Sequence, residues 1–239
     1  MRLDQALVAQ GRVATRARAQ DLIKRGLVQV DGQVCRKASQ TITTQTLTAD
    51  DHPWVSRAGL KLEGALNALP DLEIRGRLCL DLGASTGGFS QVLLARGAQQ
   101  VTAVDVGTDQ LHPSLQDHPS LHNRSQTDVR DLRAEDFDPV PDLLVSDLSF
   151  ISLTKALPAA LTLAPSDADL IALFKPQFEV GRAHIGAGGV VTDQDAIDLA
   201  LSSFKTWLSM QGWPPYAEGL AAIAGGDGNQ ETWVAAKKA

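Results

Sequence analysis

Apolar and polar residues alternate in two rhythms along this chain, and the change of rhythm divides it. Leu3, Ala6 and Leu7, and then Ala17, Leu22 and Ile23, recur at helical spacing. Thr15 stands where an N-cap is needed, and Gly11 and Gly26 stand where helices stop, so two short helices are predicted. Val28, Val30 and Val34 then follow a period of two around an Asp31-Gly32 pair, the signature of a β-hairpin.

From residue 77 onward the rhythm is different. Short apolar runs at 77–82, 100–104, 142–146 and 169–174 alternate with helical stretches near 88–96, 153–164 and 193–210. Strands interleaved with helices predict an α/β fold with a doubly wound parallel sheet. Pro158 is expected to begin or interrupt the helix over 156–163, and residues 217–223 and 232–236 to supply the last strands. Between the two regions, residues 43–53 lack sustained periodicity and end in Pro53. The predicted organisation is a small module over 1–48, a linker over 49–53 and a larger domain over 54–239.

The first apolar run of the larger domain ends in Gly83-Ala84-Ser85-Thr86-Gly87-Gly88, and the helix carrying Phe89 follows. Small residues at such a turn let backbone N–H groups approach a ligand, and the helix N-terminus favours a negative group. Asp105, which ends the next run, is placed to accept hydrogen bonds from ribose hydroxyls. The glycine spacing departs from G-x-G-x-x-G, which disfavours a nicotinamide enzyme. Ligands of open α/β sheets bind beyond the carboxyl ends of the strands, a rule that selects Asp81, Asp105, Asp147 and Lys175 together.

Charge sharpens the division. Residues 1–48 hold eight Lys and Arg against three Asp, a net +5, whereas the whole chain carries −6, leaving −11 for the remainder. Arg16, Arg18, Lys24 and Arg25 avoid the Leu22/Ile23 stripe and can gather on an exposed face. By itself such a face reads as a solvated helix surface.

With 44% hydrophobic and 21% charged residues, the composition is that of a globular chain rather than a disordered or coiled-coil one. No apolar run approaches the ~18 residues of a membrane span, and polar residues follow Met1 directly, so a cytoplasmic location is expected. Cys35 and Cys79 read as packing residues. His52, His112, His118, His122 and His184 have no metal-ligand spacing, so no metal is expected.

Arg2-Leu3-Asp4, Ala19-x-x-Leu22-Ile23-x-x-Gly26 and Val28-x-Val30-x-Gly32 resemble the S4-type RNA-binding domain first described in ribosomal small-subunit protein four. Over nearly its whole length the chain resembles the TlyA, or hemolysin A, family of S-adenosylmethionine-dependent ribosomal RNA 2′-O-methyltransferases, with an FtsJ-like catalytic domain. The resemblance rests on the basic module and on Val55-Ser56-Arg57-Ala58-Gly59-Leu60-Lys61-Leu62, Asp81 to Phe89, Asp147-Leu148-Ser149-Phe150-Ile151-Ser152-Leu153, Phe174-Lys175-Pro176-Gln177-Phe178-Glu179, Gly188-Gly189-Val190-Val191 and Gly228-Asn229-Gln230-Glu231. It implies an S4-type α+β domain followed by a Rossmann-like class I methyltransferase domain.

The resemblance also implies a catalytic tetrad of Lys61, Asp147, Lys175 and Glu231. It places Gly83, Ser85, Gly87, Gly88 and Phe89 near the methionine part of S-adenosyl-L-methionine, Asp105 at its ribose and Asp128 near its adenine. In the module it implies a phosphate-contacting helix, so Arg2, Arg16, Arg18, Lys24 and Arg25 are the expected RNA contacts, with ribosomal RNA or a ribosomal subunit as partner. Lys175 is the expected base, its proton affinity lowered by a neighbouring Lys61 and by burial, while Asp147 and Glu231 hold the lysines in place. Three rivals make different predictions: an RNA-binding assembly factor with an inactive methyltransferase fold, a membrane-active hemolysin, and a methyltransferase acting on a base.

Overall fold

The side-chain hydroxyl of Thr15 accepts a hydrogen bond from the Arg18 N–H at 3.2 Å and starts helix α2 (Arg16–Arg25), which ends at Gly26 with φ 76°. Helix α1 (Leu3–Ala9) precedes it, and strands β1 (Val28–Val30), β2 (Gln33–Val34) and β3 (Leu47–Ala49) follow. Asp31 and Gly32, both at positive φ, close the β1–β2 hairpin, as the Asp-Gly pair predicts. The strands form an antiparallel sheet of order β2-β1-β3. Leu3, Leu7, Leu22, Ile23, Val28 and Leu47 fill the core of this unit.

The computed structural model describes residues 1–239 except the side chains of Arg25 and Ala187, so the expected contact at Arg25 lies outside the described residues. The chain forms two compact units, Met1–Pro53 and Trp54–Ala239. Residues 49–53 are fastened to the first unit instead of standing free as a linker. Strand β3 runs through Ala49, the Asp50 N–H donates to the Leu27 carbonyl at 2.9 Å, and Arg18 Nε pairs with Asp51 Oδ1 at 2.8 Å.

In the second unit, α3 (Ala58–Ala68) leads into β4 (Leu78–Leu82), α4 (Gly88–Ala95), β5 (Gln100–Val104), α5 (Pro113–Gln116) and β6 (Leu121–Arg124). Then come β7 (Leu143–Ser146), α6 (Leu153–Ala156), α7 (Pro158–Leu163), β8 (Asp169–Phe174), α8 (Pro176–Glu179), α9 (Gln194–Met210), β9 (Pro215–Leu220) and β10 (Thr232–Lys237). Pro158 divides α6 from α7 and opens the second, where its missing N–H costs no bond. The seven strands lie in the order β6-β5-β4-β7-β8-β10-β9.

The first five strands in this order are parallel, β10 runs antiparallel to both β8 and β9, and β9 therefore shares the direction of the five, so β10 is the reversed strand of the sheet. One sheet face packs Cys79, Val101, Ala103, Val145 and Ile171 among residues of α3 and α4. The other packs Leu80, Leu82, Val104, Leu144 and Ala172 among residues of α6, α7 and α9. Burial on both faces explains the unbroken apolar runs. Among the described residues no helix is long and apolar enough to cross a membrane.

Candidate active site

Four chain segments bring ionisable side chains to the carboxyl end of the parallel strands. Asp147 follows β7, Lys175 follows β8, and Lys61 projects from α3. Glu231 precedes β10, whose reversed direction sets Thr232 opposite Phe174 and so places residue 231 beside residue 175. Lys61 Nζ donates to Glu231 Oε2 at 2.7 Å, and both residues are buried. Lys175 Nζ lies 2.6 Å from Asp147 Oδ1 and donates to Ser149 Oγ at 2.9 Å.

The two pairs share one electrostatic field. Burial drives the Glu231 carboxyl above its ordinary value, the bond and charge of Lys61 and the charge of Lys175 oppose the rise, and Asp147 adds to it. Each ammonium thus has its own carboxylate, and Glu231 feels both lysines.

Beside this cluster lies a cavity of about 670 Å³ lined by Gly83, Ser85, Asp105, Asp128, Asp147 and Ser149, among others. Asp105 braces its floor: Oδ2 accepts the Ser85 N–H at 2.8 Å and Oδ1 the Gly107 N–H at 2.7 Å. Asp128 is clamped by Arg130, with Nη2 at 2.6 Å, and its carboxyl is held below its ordinary value by that side-chain bond. Beneath the glycine turn, fully buried Asp81 accepts from Ser90 Oγ at 2.6 Å, and burial raises its carboxyl to about 7.

Gly87, Gly88 and Phe89 are not among the residues that line this cavity. A Cβ on Gly88 would lie 2.2 Å from Ser56 Oγ and 3.0 Å from the Gly59 nitrogen, so the residue is small to let α4 meet the segment leading into α3. Gly87 has φ 88° and caps α4 in the left-handed region, and Phe89 is buried in the core. Trp54 is also a packing residue, donating to Glu63 Oε2 at 3.0 Å.

Phe150 is the residue that motif reading passed over. It is 91% exposed on the cavity wall, holds φ 66°, and leans against Phe178 with ring centroids 5.3 Å apart. A bulky residue in the left-handed region is strained, and strain of this kind gathers at functional sites. The larger cleft, about 980 Å³ along α9, carries Glu179, Asp193 and Asp195 on its wall and is ill suited to phosphate.

In the first unit three of the expected RNA contacts also pair with carboxylates of the protein. Arg2 Nε and Arg16 Nε reach the fully buried Asp4 at 3.0 and 2.8 Å, and Gln20 Nε2 joins them at 2.8 Å. These donors hold the Asp4 carboxyl far below its ordinary range, the Arg2 bond contributing most. Arg18 pairs with Asp21 and Asp51 and donates to the His52 carbonyl. Lys24 is exposed, as a phosphate contact requires. No cluster of three or more His, Cys, Asp or Glu able to hold a metal occurs among the described residues.

The family model of the FtsJ-like methyltransferases matches residues 54–238, and that of the S4 domain matches residues 1–46. A Mycobacterium tuberculosis (strain ATCC 25618 / H37Rv) relative, named 16S/23S rRNA (cytidine-2′-O)-methyltransferase TlyA, is 41% identical over 237 residues, covering 98% of this chain and 88% of the relative. The chain belongs to the TlyA, or hemolysin A, family.

Another member of the TlyA family, hemolysin A of Brachyspira hyodysenteriae, is 35% identical, with 97% of each chain covered. A solved chain from Streptococcus thermophilus that carries the hemolysin name superposes with a TM-score of 0.78 at 35% identity, covering all of this chain and 88% of that one. Magnesium protoporphyrin IX methyltransferase from Synechocystis PCC 6803, solved with bound SAH, shares the methyltransferase fold alone, with a TM-score of 0.54 at 15% identity over 77% of this chain and 84% of that one. The TlyA-family chain is therefore an enzyme with an S4 domain followed by a Rossmann-like methyltransferase domain.

Proposed function

We propose that this chain methylates the 2′-hydroxyl of a ribose, that of a cytidine, in ribosomal RNA with S-adenosyl-L-methionine as donor. The observation that carries this reading is the convergence of the Lys61–Glu231 and Lys175–Asp147 pairs beside the glycine-turn cavity. The cavity suits the donor, because small Gly83 and Ser85 leave backbone room and Asp105, Asp128 and Asp147 offer carboxylates to a nucleoside and a cation. When bound there, the donor supplies a methyl group on a positively charged sulfur.

The protein's own groups do the rest. Lys175 takes the 2′-hydroxyl proton on Nζ and is held in place by Asp147. Lys61, fixed by Glu231, positions the sugar hydroxyl beside it. Phe150 offers an exposed ring on which an unstacked base can lie, the way single-stranded nucleotides are commonly held. Lys24, exposed on the first unit, grips the phosphate backbone without reading sequence.

The test uses the full chain with separate 30S and 50S particles and a methyl-labelled donor, followed by mass-spectrometric mapping of the modified atom. A label on ribose O2′ supports the proposal. A label on a base supports a base methyltransferase, and binding without transfer supports an assembly factor. Dye release from vesicles at low protein concentration supports lysis.

A further inference from the structure

We infer that Ser149 is a positioning residue for Lys175, the partner that serves this lysine in both of its protonation states. The inference rests on Lys175 as the base in the proposed function. Lys175 is almost fully buried, and its Nζ meets Asp147 Oδ1 at 2.6 Å and Ser149 Oγ at 2.9 Å. A carboxylate only accepts hydrogen bonds, so Asp147 supports the ammonium and offers nothing to a neutral amine lone pair.

A hydroxyl accepts from the ammonium and, by rotating, donates to the neutral amine. Ser149 is exposed and lines the cavity, so its hydroxyl stands between Lys175 and the solvent side of the site. While Lys175 is neutral, the Ser149 hydroxyl fixes the direction of its lone pair. Once the ribose proton has moved to Nζ, the same oxygen accepts from the new ammonium. The covalent change is one O–H bond broken and one N–H bond formed, with the electron pair of the O–H bond left on the ribose oxygen.

The charged groups facing Lys175 are Asp147 at the end of β7 and Glu231 before β10, the latter bonded to Lys61 of α3. None of them is removed in a Ser149 variant. The bond to the ammonium is charge-assisted and stronger than the bond to the amine, so losing the hydroxyl disfavours the charged form and lowers the lysine's titration midpoint.

The experiment follows the side-chain carbon resonance of Lys175 by NMR in the ligand-free full chain, assigned by its disappearance in Lys175→Arg. In Ser149→Ala the midpoint should fall by about 0.5–1 pH unit, and Ser149→Thr, which keeps the hydroxyl, should restore it. In the transfer assay, Ser149→Ala should lower kcat about tenfold with KM for RNA and donor unchanged, and move the rising limb of the pH–rate profile to lower pH.

An unmoved midpoint with an unmoved profile overturns the inference. So does a fall in rate without movement of the limb, which is the mark of a merely structural side chain. If the unsubstituted protein methylates no ribose, the proposed function fails instead, and the ligand-free titration still reads the Ser149–Lys175 coupling on its own.

Discussion

Removing one member of the Lys61–Glu231 pair should cost far more than removing both. The two side chains are 9% and 2% exposed and their charged atoms lie 2.7 Å apart. At an effective dielectric constant of about 20 their gross attraction is roughly 6 kcal/mol. Desolvating two ions costs several kcal/mol each, so the pair is close to neutral for folding, while a single stranded charge costs about 3–5 kcal/mol. Glu231→Gln keeps an acceptor and should fall near 3 kcal/mol, and Lys61→Met should cost about 3–5 kcal/mol.

The double variant Lys61→Met/Glu231→Leu buries no charge and should cost only about 1 kcal/mol, so against Lys61→Met and Glu231→Leu singles at about 3–5 kcal/mol each the coupling is about 5–9 kcal/mol. Urea denaturation of the full chain, followed by tryptophan fluorescence, measures the cycle. With a slope of about 2 kcal/mol/M, a loss of 3 kcal/mol moves the midpoint by roughly 1.5 M. The double variant should be stable yet inactive in methyl transfer, which separates the pair's chemical role from its structural one. Single variants that each cost under about 1 kcal/mol and add without coupling would refute the reasoning, because they would mean that the pair is screened by water.

Burial raises the Glu179 carboxyl to about 7, opposed by the Leu153 N–H. The folded state therefore holds this proton more tightly than the unfolded one, and ionisation costs stability progressively from about pH 4.5 to 7. Glu179→Gln should match the unsubstituted protein at pH 4 and exceed it above pH 7, by up to about 3 kcal/mol, as read from urea midpoints across pH. Phe150→Ala should leave the melting temperature unchanged, since the ring is 91% exposed, and leave donor affinity unchanged in calorimetry. Its kcat/KM for RNA should fall at least about tenfold through lost stacking. Lys24→Ala should weaken RNA binding and reduce the slope of log affinity against log salt by about 1, measured by filter binding. Arg16→Ala should instead lower the thermal stability of the first unit, because buried Asp4 loses a donor.

Local chemistry explains what was legible in the sequence. The Thr15 cap, the Gly26 stop, the Asp31-Gly32 turn and the Gly83 turn each need particular residues at adjacent positions, and the structure carries them there. The nearness of Asp147 and Lys175 could be anticipated because strand ends share one edge, whereas Lys61 on α3 and Glu231 before β10 were implied only by the family resemblance. The reversal of β10 could not be anticipated, since a strand's periodicity is the same in either direction and only its partner fixes its sense.

Arg2 and Arg16 show the same limit in another form. An arginine bound for solvent and one bound for a buried carboxylate look alike until the carboxylate is placed, and Asp4 in an amphipathic helix gives no sign that it is buried. Gly87 and Gly88 sit in a turn whose type could be read, but the neighbours that require their smallness come from residues 111–115 and 56–59. Phe150 was hidden because an exposed aromatic is identified by exposure and backbone angle, neither of which residue order states.

The position of β10 between β8 and β9 ties Glu231 to the far side of the sheet. The cavity beside the glycine turn is lined from the loops that follow the parallel strands, whereas the partner of Lys61 stands at the start of β10. A molecule frayed at that strand would keep this cavity and lose Glu231 from the proposed tetrad. Competence for chemistry is thereby tied to closure of the sheet's far side, and a loosened end would leave a silent binder instead of a sluggish catalyst.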